Sequence, residues 1–451
     1  MSAAPPPEQQ PGRLLSVLGL AFGLAGSVGG TIGAGILRTP GLVAAQLGTP
    51  QLVLGAWLLG GLYALLGAIC IAELAASLPR AGGWYVYAEQ AFGRRAGWLV
   101  GWTDWLAHCI GLAWVATTVG ELLSELLPAQ NLVPGDWLSR GLALLVLLLF
   151  SGIQLLGVKA GGASQELLSL VKAVAFLGLA AASFLLPPAL PLDTTSLPEA
   201  AMPAGPALLF GAVLALQAVI TTFDGWASPV YFAEEFSEPG RDLPRSLIGG
   251  VVAVLALYLL INAALLHVLP LQTLSGASLP AADAARSLLG TAGARVITLV
   301  ALVSLLGLIN TVVMAAPRIL FGLGRDALMP AALAQVNTGG TPVTALLCTA
   351  TASAGLVLAG SFDHLLGMGA FLYVGLPLGG IAAQLWLRRT QPDLLRPYLS
   401  WGYPATPLLV GGVSLAFLIG ALISDTADSL LALALVGIGG LVGELWRISV
   451  E

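Results

Sequence analysis

Long apolar runs alternate with short polar connections along this chain, and each run is about as long as a helix needs to cross a bilayer. A spanning helix takes roughly 20 apolar residues. Twelve stretches fit: 15–45, 52–78, 97–126, 135–156, 164–186, 206–236, 244–269, 293–322, 342–360, 364–388, 405–424 and 427–446. Two of the twelve are interrupted. The first, apolar from Phe22 to Leu42, is broken by Gly29-Gly30-Thr31-Ile32-Gly33-Ala34-Gly35. The sixth, from Leu208 to Phe236, is broken by Thr221-Thr222-Phe223-Asp224-Gly225-Trp226. A helix interrupted at membrane depth frees N–H and C=O groups that lipid cannot satisfy, so the break must face protein, water or a bound molecule. Breaks at corresponding places in two halves of a chain point to a transporter binding site.

Spans 1–5 and 6–10 overlay as two halves, each opened by its interrupted span. Because five is odd, the second half enters the membrane upside down, which brings the two breaks face to face near the midplane. The pattern therefore predicts an all-α polytopic membrane protein with twelve transmembrane helices. A tail over 1–12 precedes a first half at 13–190, a second half at 204–390, and the last two spans with a short C-terminus at 403–451. The Pro- and Gln-rich first dozen residues read as a disordered cytoplasmic tail with no cleavable signal. Spans 11 and 12, joined by Asp425-Thr426-Ala427-Asp428, form a hairpin for packing or dimerisation. Residues 80–93 are too polar to span but carry aromatics at helical spacing. They read as an interfacial helix supporting a gate, or as an aromatic belt anchor.

Charge sets the orientation. With the N-terminus in the cytoplasm, the inner loops hold Arg13, Arg80, Arg94, Arg95, Lys159, Arg241, Arg245, Arg325, Arg388, Arg389, Arg396 and Arg447; the outer loops hold Arg140, Arg286 and Arg295. Reversing the chain would invert this bias, so both termini are placed in the cytoplasm. Composition agrees with the class: 57% of residues are hydrophobic and 9% charged, and the mean hydropathy is +0.91, against about 25% charged residues in soluble domains. The arginine-heavy, lysine-poor usage suggests a bacterial source, hence the cytoplasmic (inner) membrane. No basic stripe suits nucleic acid. Cys70, Cys109 and Cys348 lie in separate spans and read as buried apolar residues rather than a disulfide framework. His108, His267 and His364 are scattered over separate spans, so no metal site or cofactor is expected, and no HExxH pair or nucleotide loop supports an enzyme. A channel would need a continuous polar stripe, which no span carries.

Four motif strings then resemble the amino acid/polyamine/organocation permeases, and among them the L-type amino acid transporter branch. Gly26-Ser27-Val28-Gly29 and Gly33-Ala34-Gly35-Ile36 are similar to the family's I-G-x-G-I-F element, with Leu37 in place of Phe. Gly82-Gly83-Trp84-Tyr85-Val86-Tyr87, Phe92-Gly93 and Gly101-Trp102 look like G-G-x-Y-x-Y … F-G … G-W. Phe223-Asp224-Gly225-Trp226, Glu234-Glu235 and Glu238-Pro239-Gly240-Arg241-Asp242-Leu243-Pro244 resemble Y/F-D-G-W … E-E … N-P-x-R-x-x-P. Gly307-Leu308-Ile309-Asn310, Gly324-Arg325-Asp326-Ala327-Leu328-Met329-Pro330 and Thr341-Pro342 resemble G-x-x-N … R-D-G-x-x-P … T-P. The resemblance implies the 5+5 inverted-repeat fold typified by the leucine transporter LeuT, with helices 1 and 6 broken, and secondary active, sodium-independent amino acid transport. Exchange is the favoured mode; proton symport and a polyamine or organic amine carrier are the alternatives. Eukaryotic L-type light chains join a heavy chain through a cysteine between spans 3 and 4. That loop has no cysteine here, so a monomer or homodimer is expected, with a small amino acid as substrate.

The breaks have the right chemistry for an amino acid. N–H donors at a half-helix N-terminus suit a carboxylate, and carbonyls at a half-helix C-terminus suit an ammonium. Gly33, Ala34 and Gly35 are expected to donate to the carboxylate, and carbonyls near Thr31, Ile32, Thr221 and Thr222 to receive the ammonium. The resemblance implies the same assignment. The competing reading is that the glycines only let helices pack closely. Phe223 and Trp226 either line the side-chain pocket or pack in the bundle. Where relatives carry a bulky aromatic gate, this chain has Thr221. Asp224 either orients the ammonium or, preferably, caps the second half-helix. Lys172, at membrane depth in span 5, costs roughly 2.5–3.5 kcal/mol on insertion scales and needs a partner such as carbonyls of the broken span 1. Relatives have a lysine here where sodium-coupled members of the fold hold a cation, so Lys172 reads as a tethered ammonium replacing sodium; snorkelling is the alternative. Ser304 and Asn310 are possible gate or support residues, Asn310 by bonding a neighbouring helix. Arg318 and Arg325 read as gate or headgroup charges, Glu234, Glu235 and Arg241 as an inner ion-pair network, and His108 as a bonded bundle histidine. Uncharged Ala227 and Ser228 beyond the second break disfavour an arginine/agmatine-type exchanger.

Overall fold

A computed structural model describes residues 14–33, 35–127, 136–187, 205–277, 279–359 and 362–450. The described chain is built from helices: α1 (Leu20–Thr31), α2 (Gly35–Leu47), α3 (Pro50–Ser77), α4 (Trp84–Phe92), α5 (Arg94–Leu126), α6 (Trp137–Leu155), α7 (Val158–Leu185), α8 (Pro206–Thr222), α9 (Pro239–Val268), α10 (Leu271–Gly276), α11 (Pro280–Arg325), α12 (Val343–Ala359), α13 (Phe362–Thr390), α14 (Ala405–Ser424) and α15 (Thr426–Val450). Short 3-10 segments cover Ser228–Glu235 and Ala331–Ala334. Among the described residues, nine helices are long and apolar enough to cross a membrane, and the bent pair α1–α2 makes a tenth candidate. The chain is thus a multi-pass membrane protein.

Both interruptions are present, each with its own form. Backbone hydrogen bonding carries α1 through Gly29 and Gly30 to Thr31, so the break is narrower than the glycine run predicts. Ile32 turns extended, α2 begins at Gly35, and the two axes meet at 47°. Beyond α8 the chain makes irregular turns and continues as a 3-10 segment rather than an α-helix. Pro229, at the start of that segment, has no N–H to give an α-helical ladder.

Around these breaks α1 packs against α9, α7 and α11, while α3 covers α9 and α8. The helix α5 is the other hub, touching α4, α6, α11 and α13. The expectation for 80–93 is corrected in one respect. Trp84 to Ala88 are all buried, so α4 is an internal support and not a belt anchor. Its aromatics fill the protein interior instead of a headgroup layer. The hairpin α14–α15 packs on α13, α3 and α5, with the Trp98 indole donating to the Gly439 carbonyl at 2.8 Å. Of the three cysteines, Cys70 and Cys109 are buried as expected, but Cys348 is exposed on α12.

Candidate functional site

The two interrupted helices meet at a pair of glycines. A Cβ on Gly30 would strike the Ser228 hydroxyl and stand 2.8 Å from the Gly225 carbonyl; one on Gly225, at φ 97°, would strike the Gly30 carbonyl. Only glycine lets two backbones approach this closely, and only glycine takes that φ without strain. One hydroxyl then ties both helix ends together. Tyr258, from α9, donates to the Thr31 carbonyl at 3.0 Å and to the Thr222 carbonyl at 3.3 Å. Across the break, Thr39 and Thr222 share a hydrogen bond of 2.8 Å.

Behind α1 stands α7. Lys172, fully buried, extends Nζ to the carbonyls of Gly29 (2.8 Å) and Ile32 (2.9 Å), the last turn and the cap of α1. A helix C-terminus is the negative end of its dipole, and charge-assisted hydrogen bonds are about twice as strong as neutral ones. No carboxylate pairs with Lys172 among the described residues; backbone carbonyls are its partners. One turn earlier Ser169 donates to the Ala25 carbonyl at 2.8 Å. Asn310, from α11, bonds Gln165 at 2.9 Å and Gln154 at 2.8 Å, so a buried polar chain links α6, α7, α11 and α1. Buried polar groups bonded this fully fix helix register as much as they stabilise it.

A cavity of about 550 Å³ opens at the junction. Of the candidate residues, Thr31, Gly33, Gly35, Thr221, Thr222, Asp224, Gly225 and Trp226 line it. Ala34 lies outside the described residues. Gly35 opens α2, and the first-turn N–H groups of a helix have no partner within it. Three assignments need correction. Ile32 does not line the cavity, and its carbonyl is held by Lys172, so the expected ammonium receptor is already occupied on one side. Phe223 turns away and packs on Trp57 and Tyr258, with ring centroids 6.2 and 5.0 Å off, because the turn after α8 directs Asp224 and Trp226 to the cavity instead. Asp224 does not cap the 3-10 segment: Ala227 occupies that cap position, with no side-chain bond to it. Ser304 bonds the Val300 carbonyl of its own helix, and neither it nor Asn310 reaches the cavity. Sequence reasoning missed Trp84, Tyr231, Tyr258 and Asp104. Trp84 stands edge-on to Trp226 across the cavity floor, at 6.5 Å.

Toward the N-terminal side the cavity is closed. Leu18 pairs with Phe236 in an isolated bridge, and Ser16 donates to the Phe236 carbonyl at 2.8 Å. Buried Arg318 forks onto Glu235 and lies 4.7 Å over the Phe232 ring. Arg325 pairs with Glu234, and Arg80 and Tyr85 both reach Asp326. Arg241 is not part of this network; it pairs with exposed Glu238 at 3.1 Å. Near Arg80 and Asp326, toward the end of α4, burial holds the Glu89 carboxyl above its ordinary range, and Asp326 adds to this. Away from the N-terminal side the cavity reaches exposed Arg38 and Asp425, with no ion pair between them.

Apolar helices around a cavity between two interrupted helices, mostly apolar in its lining with a few polar groups, closed on one side and reached from the other, define a membrane transport protein rather than an enzyme. Residues 13–441 match the amino acid permease family, and the chain belongs to it. It is 29% identical over 431 residues to the serine/threonine exchanger SteT of Bacillus subtilis (strain 168), covering 94% of this chain and 95% of that one. The methylthioribose transporter of the same organism is 26% identical over 410 residues, 87% of this chain and 85% of the relative. The large neutral amino acids transporter small subunit 2 of Oryctolagus cuniculus is 27% identical over 395 residues, 84% and 71% respectively. The resemblance drawn from the motifs therefore holds.

Proposed function

We propose that the protein carries small neutral amino acids by alternating access, independently of sodium and by exchange. The observation that carries this reading is the cavity at the Gly30–Gly225 contact, backed by the Lys172 ammonium on the carbonyls of Gly29 and Ile32. A tethered ammonium there does the work of a bound cation: it holds the end of α1 without requiring an ion from solution. The N–H groups at Gly33 and Gly35 face the substrate carboxylate. The second lone pairs of the Thr31 and Thr222 carbonyls, and Asp224, serve the ammonium. The amino acid named for the exchanger SteT and for the large-neutral transporter supports a zwitterionic substrate.

In this reading the bent pair α1–α2 is span 1, α8 with its 3-10 continuation is span 6, and α12 is span 9. With the nine long helices these make twelve, in the inverted-repeat arrangement of LeuT. The arginine bias of the loops supports cytoplasmic termini and the lysine-poor usage supports a bacterial cell; in this reading the closed side is cytoplasmic and the cavity is open outward. No heavy chain is assigned; a monomer or homodimer suffices.

Purified protein in liposomes tests this. Labelled L-alanine should enter vesicles preloaded with unlabelled amino acid, with or without sodium, and should not enter empty ones. Uptake into empty vesicles that follows a proton gradient would replace exchange by symport. Uptake of amines or of a sugar thioether in place of amino acids would overturn the substrate class.

A further inference from the structure

One ring nitrogen on the cavity wall has no partner among the described residues. His108, on α5, lines the cavity. Its Nδ1 lies 2.8 Å from the Asp104 backbone carbonyl and 3.1 Å from Asp104 Oδ1. A carbonyl only accepts, so Nδ1 carries the ring hydrogen. Asp104 is fixed in turn by the Tyr231 hydroxyl at 2.9 Å. The rings of Tyr231 and Tyr373 flank the imidazole edge-on, with centroids at 4.8 and 5.8 Å, and hold its plane. The other nitrogen, Nε2, is bonded to none of the described residues and is left to the cavity.

The hydroxyls of the same wall are placed differently. Thr118, Thr311 and Ser228 each donate to a backbone carbonyl. Tyr231 donates to Asp104, and Tyr373 to the Ala107 carbonyl. Their hydrogens are spent inside the protein. The hydroxyls of this wall therefore offer acceptors beside the indoles of Trp84, Trp114 and Trp226, and with the ring hydrogen on Nδ1 a singly protonated His108 adds Nε2 as an acceptor held in a fixed direction. Asp224 shares this wall and repels an anionic side chain.

We propose that His108 Nε2 accepts the hydroxyl hydrogen of the substrate side chain, so that the cavity selects short hydroxylated amino acids over isosteres lacking the hydroxyl. This rests on the amino acid transport reading above. A solute without the donor leaves Nε2 desolvated and unpaired, and sites built to bond a hydroxyl reject the analogue that lacks it.

The test is inhibition of labelled L-alanine exchange in liposomes by isosteric pairs: L-threonine against L-valine, and L-serine against L-2-aminobutyrate. The ratio of half-inhibiting concentrations within a pair is independent of how many molecules are active. In the wild type the hydroxylated member should win by roughly ten-fold. The ratio should fall to about one in His108→Asn, whose amide keeps a donor for Asp104 but stops short of the cavity. It should persist in His108→Gln, whose amide oxygen reaches the place of Nε2. Equal ratios in the wild type and His108→Asn overturn the proposal. So does an order led by aspartate or glutamate, which would mean that Nε2 carries a hydrogen. If the variants do not fold, melting shifts of the wild type with the same four compounds decide it: no hydroxyl preference overturns it. A wild type that exchanges no amino acid at all, alanine included, fails the transport reading instead.

Discussion

Lys172 concentrates the physics of this protein in one side chain. A fully buried ammonium with two carbonyl partners is stable only while those carbonyls point at it, so it reports and enforces the shape of the first break. Lys172→Ala leaves the Gly29 and Ile32 carbonyls without their charged donor. Hydrogen bonds to charged groups contribute about 1.5–3 kcal/mol each, so exchange should drop by roughly 10- to 100-fold in liposomes while the protein still purifies as a folded species. Unchanged exchange would remove Lys172 from the account. This residue was legible in the sequence because a lysine in an apolar run has few physical explanations. Asp104 and Tyr258 were not. Asp104 lies inside the third span beside polar Thr103, and its partners His108 and Tyr231 come together only in the fold; a tyrosine in an apolar run carries no sign of which carbonyl its hydroxyl will find.

At the scale of elements, the breaks matter through their contact. Gly225→Ala forces a Cβ into the Gly30 carbonyl at a φ of 97°. Strain of this kind costs about 1–3 kcal/mol, so a lower melting temperature and loss of exchange are expected together. Tyr258→Phe is the gentler probe. It removes the hydroxyl that holds both α1 and α8 and should weaken substrate binding by about 1 kcal/mol, a several-fold change in half-saturation with little change in melting. The positions of both breaks were readable from glycine and polar residues inside apolar runs. Their forms were not: how far α1 continues, and that a 3-10 segment follows α8, depend on tertiary contacts with α7 and α9. Phe223 shows the same limit, since an irregular turn gives no periodicity from which to read its direction.

For the whole molecule, the closed side depends on Arg318 and Glu235, which bury each other where four elements converge. Removing one partner of a buried pair strands the other, at a cost of about 3–5 kcal/mol. Arg318→Met should therefore melt well below the wild type, and adding Glu235→Leu should recover part of the loss; equal melting of the three would show that the pair is not what holds this side. The charged residues here were visible in sequence, but their pairing was not. Arg241 is near Glu234 and Glu235 in the chain yet bonds Glu238, while the true partners come from α11, about eighty or ninety residues away. The most direct measurement concerns the cavity itself. In a protein with Cys70, Cys109 and Cys348 replaced, Thr221→Cys places a single thiol on the cavity wall. A membrane-impermeant thiol reagent should stop alanine exchange, and saturating alanine should protect against it. Full exchange after complete modification, or no protection by substrate, would contradict the claim that amino acids bind where the two broken helices meet.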